Sequence, residues 1–130
     1  MILADTSAWV EFLRGTGSAV DRCFDALIAG DELATTDVVV LELLAGSHPD
    51  RVRDEHRLLQ SVEFLPQHPL DDVTHAADLY RFCRSRGVTI RSVNDCLIAA
   101  VAIRTNVPVL HADADLLRLS DLTRLEVVQP

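Results

Sequence analysis

The chain has 130 residues, of which 25 % are charged and 48 % hydrophobic, as is usual for a globular domain with its own core. Its formal net charge of −8 argues against a protein held to nucleic acid by an overall positive field. No membrane span or signal peptide is recognisable, and the three scattered cysteines favour reduced thiols, so we expect a cytoplasmic protein without membrane contact.

The first half of the chain alternates short apolar runs with amphipathic helices. Residues 2–5 form an apolar run that predicts a strand, and Thr6 or Ser7 can cap the helix that follows. This helix is expected to end at Gly15, and a second one is predicted from Ser18 to Ala29. The remaining predicted elements of this half are a strand at 33–35, a helix at 38–45, a helix at 51–61 and a strand at 62–65.

The second half continues the same alternation. Its predicted elements are a helix at 71–86, an apolar helix at 93–104, a strand at 107–110, a short helix at 113–119 and a last strand at 125–128. Apolar strands separated by helices predict an α/β fold with a mainly parallel sheet covered on both faces. Neither a repeat nor a linker divides the chain, so we expect a single domain over residues 1–130.

Two acids are placed by this fold at one edge of the sheet. Parallel sheets bind ligands beyond the carboxyl ends of their strands. Asp5 ends the first strand and Asp113 follows the fourth by three residues, so both are expected at that edge. Each has a simpler interpretation when taken alone, because Asp5 can cap the following helix and Asp is common in turns after strands.

Two further acids lie in apolar helices, where an unpaired negative charge is costly. Glu42 is the single charge in the run from Val38 to Leu44, and a matching arginine would be its structural alternative. Asp95 begins an apolar helix and also has capping-box spacing from Ser92. If these carboxylates converge, they need a cation among them. The pattern therefore predicts a divalent-metal site and metal-assisted chemistry on a phosphate ester.

Asp115 is a weaker candidate for the same site. It follows Asp113 with the D-x-D spacing of metal and diphosphate loops, but it could instead cap the short helix predicted there. Other signatures fail: the chain has no glycine-rich nucleotide loop, no zinc spacing among its histidines and cysteines, and no serine nucleophile elbow. We therefore rank Asp113 above Asp115 as a ligand.

All 12 basic residues are arginines, and four of them lie between positions 81 and 91. They are either the solvated end of a helix or a grip for phosphate, which guanidinium groups bind bidentately. Arg91, four residues before Asp95, is the best candidate for a contact with substrate phosphate. Thr6 and Ser7 could orient water or phosphate at the start of their helix, although ordinary capping is the simpler role.

Four segments resemble a known family in order and spacing. They are Asp5-Thr6-Ser7-Ala8-Trp9-Val10, Glu42-Leu43-Leu44-Ala45-Gly46, Arg91-Ser92-Val93-Asn94-Asp95-Cys96-Leu97-Ile98-Ala99-Ala100 and His111-Ala112-Asp113-Ala114-Asp115. Together they resemble PIN-domain ribonucleases and, within these, the VapC toxins of bacterial toxin–antitoxin pairs. The resemblance covers essentially the whole chain. One departure is Leu116, where many relatives carry an aromatic residue.

The resemblance implies a three-layer α/β/α sandwich and endoribonuclease activity on structured RNA such as tRNA or rRNA. It implies a Mg²⁺ or Mn²⁺ site whose candidate ligands are Asp5, Glu42, Asp95, Asp113 and Asp115. The expected assembly is a homodimer, or a heterotetramer or larger complex with a cognate VapB-type antitoxin that silences it. Two alternatives stay open: a PIN-like module that binds RNA or protein without catalysis, and a metal-dependent phosphatase or DNA nuclease.

Overall fold

The computed structural model describes residues 1–130 and is built around a four-stranded parallel sheet. Its strands are β1 (Ile2–Ala4), β2 (Leu33–Thr35), β3 (Glu63–Phe64) and β4 (Val109–Leu110). They lie in the order β3-β2-β1-β4, and all three neighbouring pairs are parallel. The parallel sheet expected from the alternation of strands and helices is therefore confirmed.

Seven helices flank the sheet and complete the α/β/α fold. They are α1 (Thr6–Arg14), α2 (Ala19–Ala29), α3 (Asp37–Gly46), α4 (Val52–Gln60), α5 (Asp71–Ser85), α6 (Val93–Thr105) and α7 (Ala114–Leu122). Each corresponds to a helix predicted from the sequence. The bounds of α7 differ most, because Asp113 caps this helix from outside and the helix continues to Leu122. No helix combines the length and the hydropathy that a membrane span requires.

The last predicted strand, at 125–128, is wrong as a full strand. Val127 forms one isolated parallel bridge with Val109, supported by 2.9 Å hydrogen bonds from Val109 N to Glu126 O and from Val128 N to Val109 O. The partner strand β4 is itself shorter than the predicted 107–110. The N–H of Val107 donates to Ala102 O instead, which closes the end of α6, and Pro108, which has no N–H, bonds to β1 only by accepting from Leu3 N.

The strand order creates a crevice at one end of the sheet. From β1 the chain moves outward through β2 to β3, and then returns to place β4 on the opposite side of β1. This reversal between β1 and β4 is the kind of switch point at which parallel sheets bind ligands. Asp5 lies directly after β1, and its N–H donates to Leu110 O at the end of β4. The expectation that Asp5 and Asp113 share one sheet edge is therefore met.

Helix α6 anchors the core beside this crevice. Its residues 98–102 are buried on every side, and it packs against α3, α5 and α7. A helix that is apolar all round is stable only in the interior, which explains the continuous run after Asp95. On the other side, Phe24 of α2 packs edge-on to Trp9 and stacks on Phe12 at 4.3 Å between centroids. Because α6 and α1 are both held by core packing, the backbone that carries the crevice side chains is fixed.

Candidate active site

An open cleft of about 380 Å³ lies at the carboxyl ends of β1 and β4. It is lined by five acidic residues, together with the hydroxyl groups of Thr6 and Ser7. Asp5, Glu42, Asp95 and Asp113 come from four separate parts of the chain, and Glu11 of α1, which the sequence analysis did not single out, is the fifth. The structure thus brings together the four carboxylates that the sequence analysis singled out.

Asp5 is 2 % exposed and is held by its own helix. Its Oδ1 accepts a hydrogen bond from Ala8 N at 2.9 Å, which makes Asp5 the N-cap of α1. The predicted caps, Thr6 and Ser7, are the first residues inside the helix instead. Ser7 Oγ donates to Asp5 at 2.7 Å and accepts from Ala112 N at 2.8 Å. Ser7 therefore ties the loop after β4 to the acid at the end of β1.

The surroundings of Asp5 disfavour its negative charge. Burial, followed by the charges of Asp113 and Glu42, raises the pKa of Asp5 to about 6, although the hydrogen bonds from Ser7 and Ala8 work to lower it. A helix cap alone would have a low pKa, because N–H donors stabilise the ionised form. The capping role proposed for Asp5 is thus real, but it does not describe the whole site.

Asp95 lies in the first turn of α6 and is the least compensated acid of the cleft. Burial and then the charges of the neighbouring carboxylates, with Asp113 and Asp5 foremost, raise its pKa to about 7, and its carboxylate forms no ion pair, although the charge of Arg91 acts on it from a distance. The capping box suggested by its spacing from Ser92 does not form, because Ser92 Oγ accepts from Asn94 N. The carboxylate of Asp95 is therefore left facing other carboxylates.

Glu42 reaches the cleft from α3. Thr6 Oγ1 donates to Glu42 Oε1 at 2.8 Å, so the hydroxyl at the start of α1 fixes the direction of this carboxylate. The structural alternative for Glu42 was a matching arginine, and none pairs with it. Thr6 and Ser7 thus each orient one acid of the cleft, which favours a positioning role for both hydroxyl groups.

Asp113 and Asp115 are adjacent but differ in their partners. Asp113 caps α7 by accepting from Asp115 N at 2.6 Å, so the prediction that Asp115 caps this helix is wrong. Asp115 is fully buried and accepts from Arg91 N at 2.9 Å, Arg91 Nε at 3.1 Å and Arg118 Nη1 at 2.5 Å. Burial works to raise the pKa of Asp115, but these hydrogen bonds outweigh it and hold the pKa below its usual value.

The donor set suits a hard divalent cation. Side-chain oxygens of Asp95, Asp113 and Asp115 lie within 4.8 Å of one another, and the acids of Asp5 and Glu42 repel the same group of charges. Mg²⁺ and Mn²⁺ prefer oxygen ligands of this kind, and a cation would remove the repulsion that now raises the pKa of Asp95. The residues present therefore fit such an ion.

The sequence analysis missed Arg118. The side chain of this residue forms an ion pair with Asp115 across one turn of α7, at i and i+3. That spacing was visible in the sequence, because an acid and an arginine three residues apart on a helix face are neighbours. What the sequence did not show is that Arg91, 24 residues before Asp115, completes the same cluster.

A parallel sheet in the order β3-β2-β1-β4, with an acidic cleft at the carboxyl ends of β1 and β4, defines a recognised class of domain. A family model described as PIN domain matches residues 2–122, which include every strand of the sheet and all the acids of the cleft.

The relatives are equally consistent. Ribonuclease VapC11 from Mycobacterium tuberculosis is 38 % identical over 129 residues, which cover 97 % of this chain and 96 % of that protein. A structure of VapBC-5, a member of the VapBC family of toxin–antitoxin systems from the same organism, gives a TM-score of 0.68 at 28 % identity, covering 99 % of this chain and 98 % of the other. FitAcB from Neisseria gonorrhoeae shares the fold, with a TM-score of 0.77 at 23 % identity over 100 % and 98 % of the two chains. The chain belongs to the PIN-domain family and, within it, to the VapC ribonucleases.

Proposed function

We propose that this protein is the toxin of a type II toxin–antitoxin pair and acts as a Mg²⁺- or Mn²⁺-dependent endoribonuclease. In this proposal residues 1–130 form one PIN domain, and the substrate is a phosphodiester bond of structured RNA such as tRNA or rRNA. The observation that carries the proposal is the convergence of four carboxylates, without a cationic partner for Asp95, in a relative of VapC ribonucleases.

The proposed metal ligands are Asp5, Asp95 and Asp113, with Glu42 completing the pocket. When bound, the divalent ion would offset negative charge at the scissile phosphate and make water more acidic. Asp115 also has oxygens near this group, but both of them already accept hydrogen bonds from arginines. This arrangement favours a positioning role for Asp115 over a place among the ligands.

The other side chains of the cleft hold the acids in position. Ser7 donates to Asp5 and links it to the loop that carries Asp113, while Thr6 donates to Glu42. Such hydrogen bonds fix the ligands before the substrate arrives, which is what catalysis by charge stabilisation requires. In this proposal Thr6 and Ser7 act on the substrate through the acids, or by direct contact at the cleft wall.

Arg91 is the proposed contact for substrate phosphate. Its side chain is 72 % exposed although its Nε is bound to Asp115, and its Nη2 lies 3.6 Å from Asp113 Oδ1. The guanidinium therefore lies at the edge of the cleft with donors still free. A group at this place can bind a phosphate oxygen beside the metal site without displacing an acid.

The proposed partners are a VapB-type antitoxin and a second copy of the chain. Relatives of known structure include members of toxin–antitoxin systems, such as VapBC-5. The acidic chain, with a net charge of −8, suits a basic inhibitor segment that offers an arginine to the acidic cleft. The proposed assembly is a homodimer, or a heterotetramer or larger complex with antitoxin, in the cytoplasm.

Replacing Asp5 by asparagine tests the proposal. Asp5→Asn keeps the cap acceptor but removes a ligand charge, so we expect cleavage of purified tRNA and rRNA with Mg²⁺ or Mn²⁺ to fall by about 10²- to 10³-fold. Circular dichroism should be unchanged. Asp121→Asn, at an exposed position of α7, is the matched control and should cleave like the wild type.

Three outcomes would contradict the proposal. An Asp5→Asn variant with the wild-type rate would remove Asp5 from the site. Cleavage of DNA in preference to RNA would favour the DNA nuclease. A wild-type protein that binds no Mn²⁺ and cleaves neither substrate would favour the inactive binding module.

A further inference from the structure

A second hollow lies beside the acidic cleft and has the opposite charge. It has a volume of about 580 Å³ and is lined by Gly87, Val88, Thr89, Arg91, Ala114 and Arg118. Two of these six residues are arginines, and none is acidic. The chain as a whole has 20 acidic and 12 basic residues, so the hollow differs in charge from the protein around it. Its chemistry fits an anion.

The two arginines of the hollow are both bound by one buried residue, Asp115. The buried carboxylate of Asp115 binds Arg91 through the backbone N–H and Nε, and it binds Arg118 through Nη1. Two guanidinium groups side by side would otherwise repel each other. One fully buried carboxylate between them reduces that repulsion and fixes both side chains.

Both guanidinium groups keep donors for a ligand. The side chain of Arg91 is 72 % exposed and that of Arg118 is 50 % exposed. Each guanidinium has five N–H donors, of which Asp115 takes one from each side chain. The remaining donors are available at the hollow. Arg91 Nη2 also lies 3.6 Å from Asp113, so the hollow and the acidic cleft meet at this side chain.

We propose that the hollow binds a backbone phosphate of the substrate RNA next to the scissile one, through Arg91 and Arg118, and that Asp115 is the residue that positions both arginines. The proposal rests on the proposed function, which identifies the ligand as RNA. It adds the path that the RNA strand follows over the protein. A strand that enters an acidic cleft on an acidic protein meets repulsion unless a cationic site lies on its path. The hollow supplies that site on the side of α7.

Salt-dependent RNA binding tests the role of Arg118. The experiment measures fluorescence anisotropy of a labelled single-stranded RNA at constant Mg²⁺, in the Asp5→Asn background so that the RNA stays intact. Arg118→Gln should weaken binding by roughly three- to tenfold and should reduce the slope of log K against log salt by about 0.7, the value for one phosphate contact on a single strand. The control is Arg53→Gln, an exposed arginine of α4 outside both cavities, which should leave the slope unchanged.

Asp115→Asn tests positioning by the sign of its effect. The variant removes one negative charge from an acidic protein, and a general field effect would therefore strengthen RNA binding. Positioning predicts weaker binding, because both arginines lose their common anchor. It also predicts that adding Arg118→Gln to Asp115→Asn costs less affinity than Arg118→Gln alone. A purely structural role of Asp115 would lower the melting temperature without this coupling.

The results separate this proposal from the proposed function. If the wild type neither binds nor cleaves RNA, the proposed function fails. If the wild type cleaves RNA while adding Arg118→Gln to Asp5→Asn leaves the affinity and salt slope of Asp5→Asn unchanged, the phosphate site alone is overturned. Unchanged RNA binding combined with a loss of affinity for an acidic protein partner would assign the hollow to that partner and would also overturn the proposal.

Discussion

Asp5 and Asp72 are buried to the same extent, at 2 % and 1 % exposure, yet their surroundings shift the pKa of the two carboxyl groups in opposite directions. Asp72 accepts hydrogen bonds from Arg104 Nε and Nη2, both at 2.9 Å, and from His68 N at 2.8 Å. Burial works to raise the pKa of Asp72, but these donors outweigh it and hold the pKa below its usual value. Asp5 shares its cleft with other acids, and its pKa is raised to about 6.

The contrast shows that burial of a carboxylate does not by itself indicate function. The buried Asp72 has its own arginine, so its charge is already compensated and it needs no added cation. A buried acid whose nearest charges are other acids is destabilised when ionised, and either a proton or an added cation removes that cost. The buried acids that lack an ion pair, Asp5 and Asp95, are therefore the ones proposed to bind a cation.

The largest change in stability is expected when the buried Asp72 loses its arginine. Arg104→Gln leaves Asp72 buried without its cation, so we expect a loss of about 2–4 kcal/mol in the free energy of unfolding, measured by urea denaturation. Cleavage per folded molecule should be unchanged. Arg57→Gln is the control, because its ion pair with Asp54 is 3.8 Å long and largely exposed and should contribute less than about 1 kcal/mol. An Arg104→Gln variant as stable as the wild type would show that Asp72 does not need its arginine.

The dependence of the free energy of unfolding on pH should have one sign for the unpaired acids Asp5 and Asp95 and the opposite sign for the paired acid Asp72. The pKa values of Asp5 and Asp95 are raised to about 6 and about 7, so their stabilising contribution is complete below their unfolded pKa and is lost as pH rises through these values. The metal-free protein should thus lose on the order of 2 kcal/mol from this cleft between about pH 4 and pH 7. Asp72, with its lowered pKa, loses its contribution only in acid, as pH falls through the folded value.

The measurement compares unfolding of the wild type and Asp95→Asn across this pH range. His111 is half-buried with a lowered pKa, which favours stability at higher pH, and the difference between the two proteins cancels its contribution. Saturating Mn²⁺ should remove most of the difference in slope. A pH profile that is the same in wild type and Asp95→Asn would mean that the cleft carries no excess charge.

A smaller effect is expected from Asp95→Asn at a single pH. At about pH 8 and without metal, the neutral amide removes repulsion from Asp5, Asp113 and Glu42, and we expect a gain of about 1 kcal/mol in the free energy of unfolding. The same variant should lose RNA cleavage. A matched change at a paired acid, Asp72→Asn, should destabilise the protein. If Asp95→Asn were also less stable than the wild type, the two acids would not differ as described.

Most of the fold could be predicted because the local signals agree with the final structure. Helices α1, α2, α6 and α7 each begin at a side chain that caps them, and the strands are largely apolar runs between helices. The last strand could not be predicted reliably. Its alternation of apolar residues is real, but the neighbouring strand β4 is only two residues long, since Val107 bonds to the end of α6. The length of a partner strand is a property of the packed structure.

The residues of the site also fall into those that the sequence could predict and those that it could not. Four of the five acids of the cleft could be found, because Asp5, Glu42 and Asp95 are charges beside or within apolar sequence and Asp113 follows an apolar strand, whereas Glu11, in an amphipathic helix, carried no such signal. The partners could not, since Arg91 and Asp115 are 24 residues apart and Arg104 and Asp72 are 32 apart. Whether an acid is paired depends on contacts that only the fold creates. For this reason the sequence suggested Asp115 as a ligand, while the structure shows it bound to two arginines.

A titration of the metal-free protein with Mn²⁺, followed by calorimetry and by thermal unfolding, decides whether the acidic cleft needs a cation. We expect saturable binding and a rise in melting temperature that corresponds to about 2.7 kcal/mol at one hundred times the dissociation constant. Arg104→Gln should bind Mn²⁺ like the wild type, whereas Asp95→Asn should bind it weakly or not at all. A melting temperature that does not respond to Mn²⁺, or that rises equally in Asp95→Asn, would contradict the account.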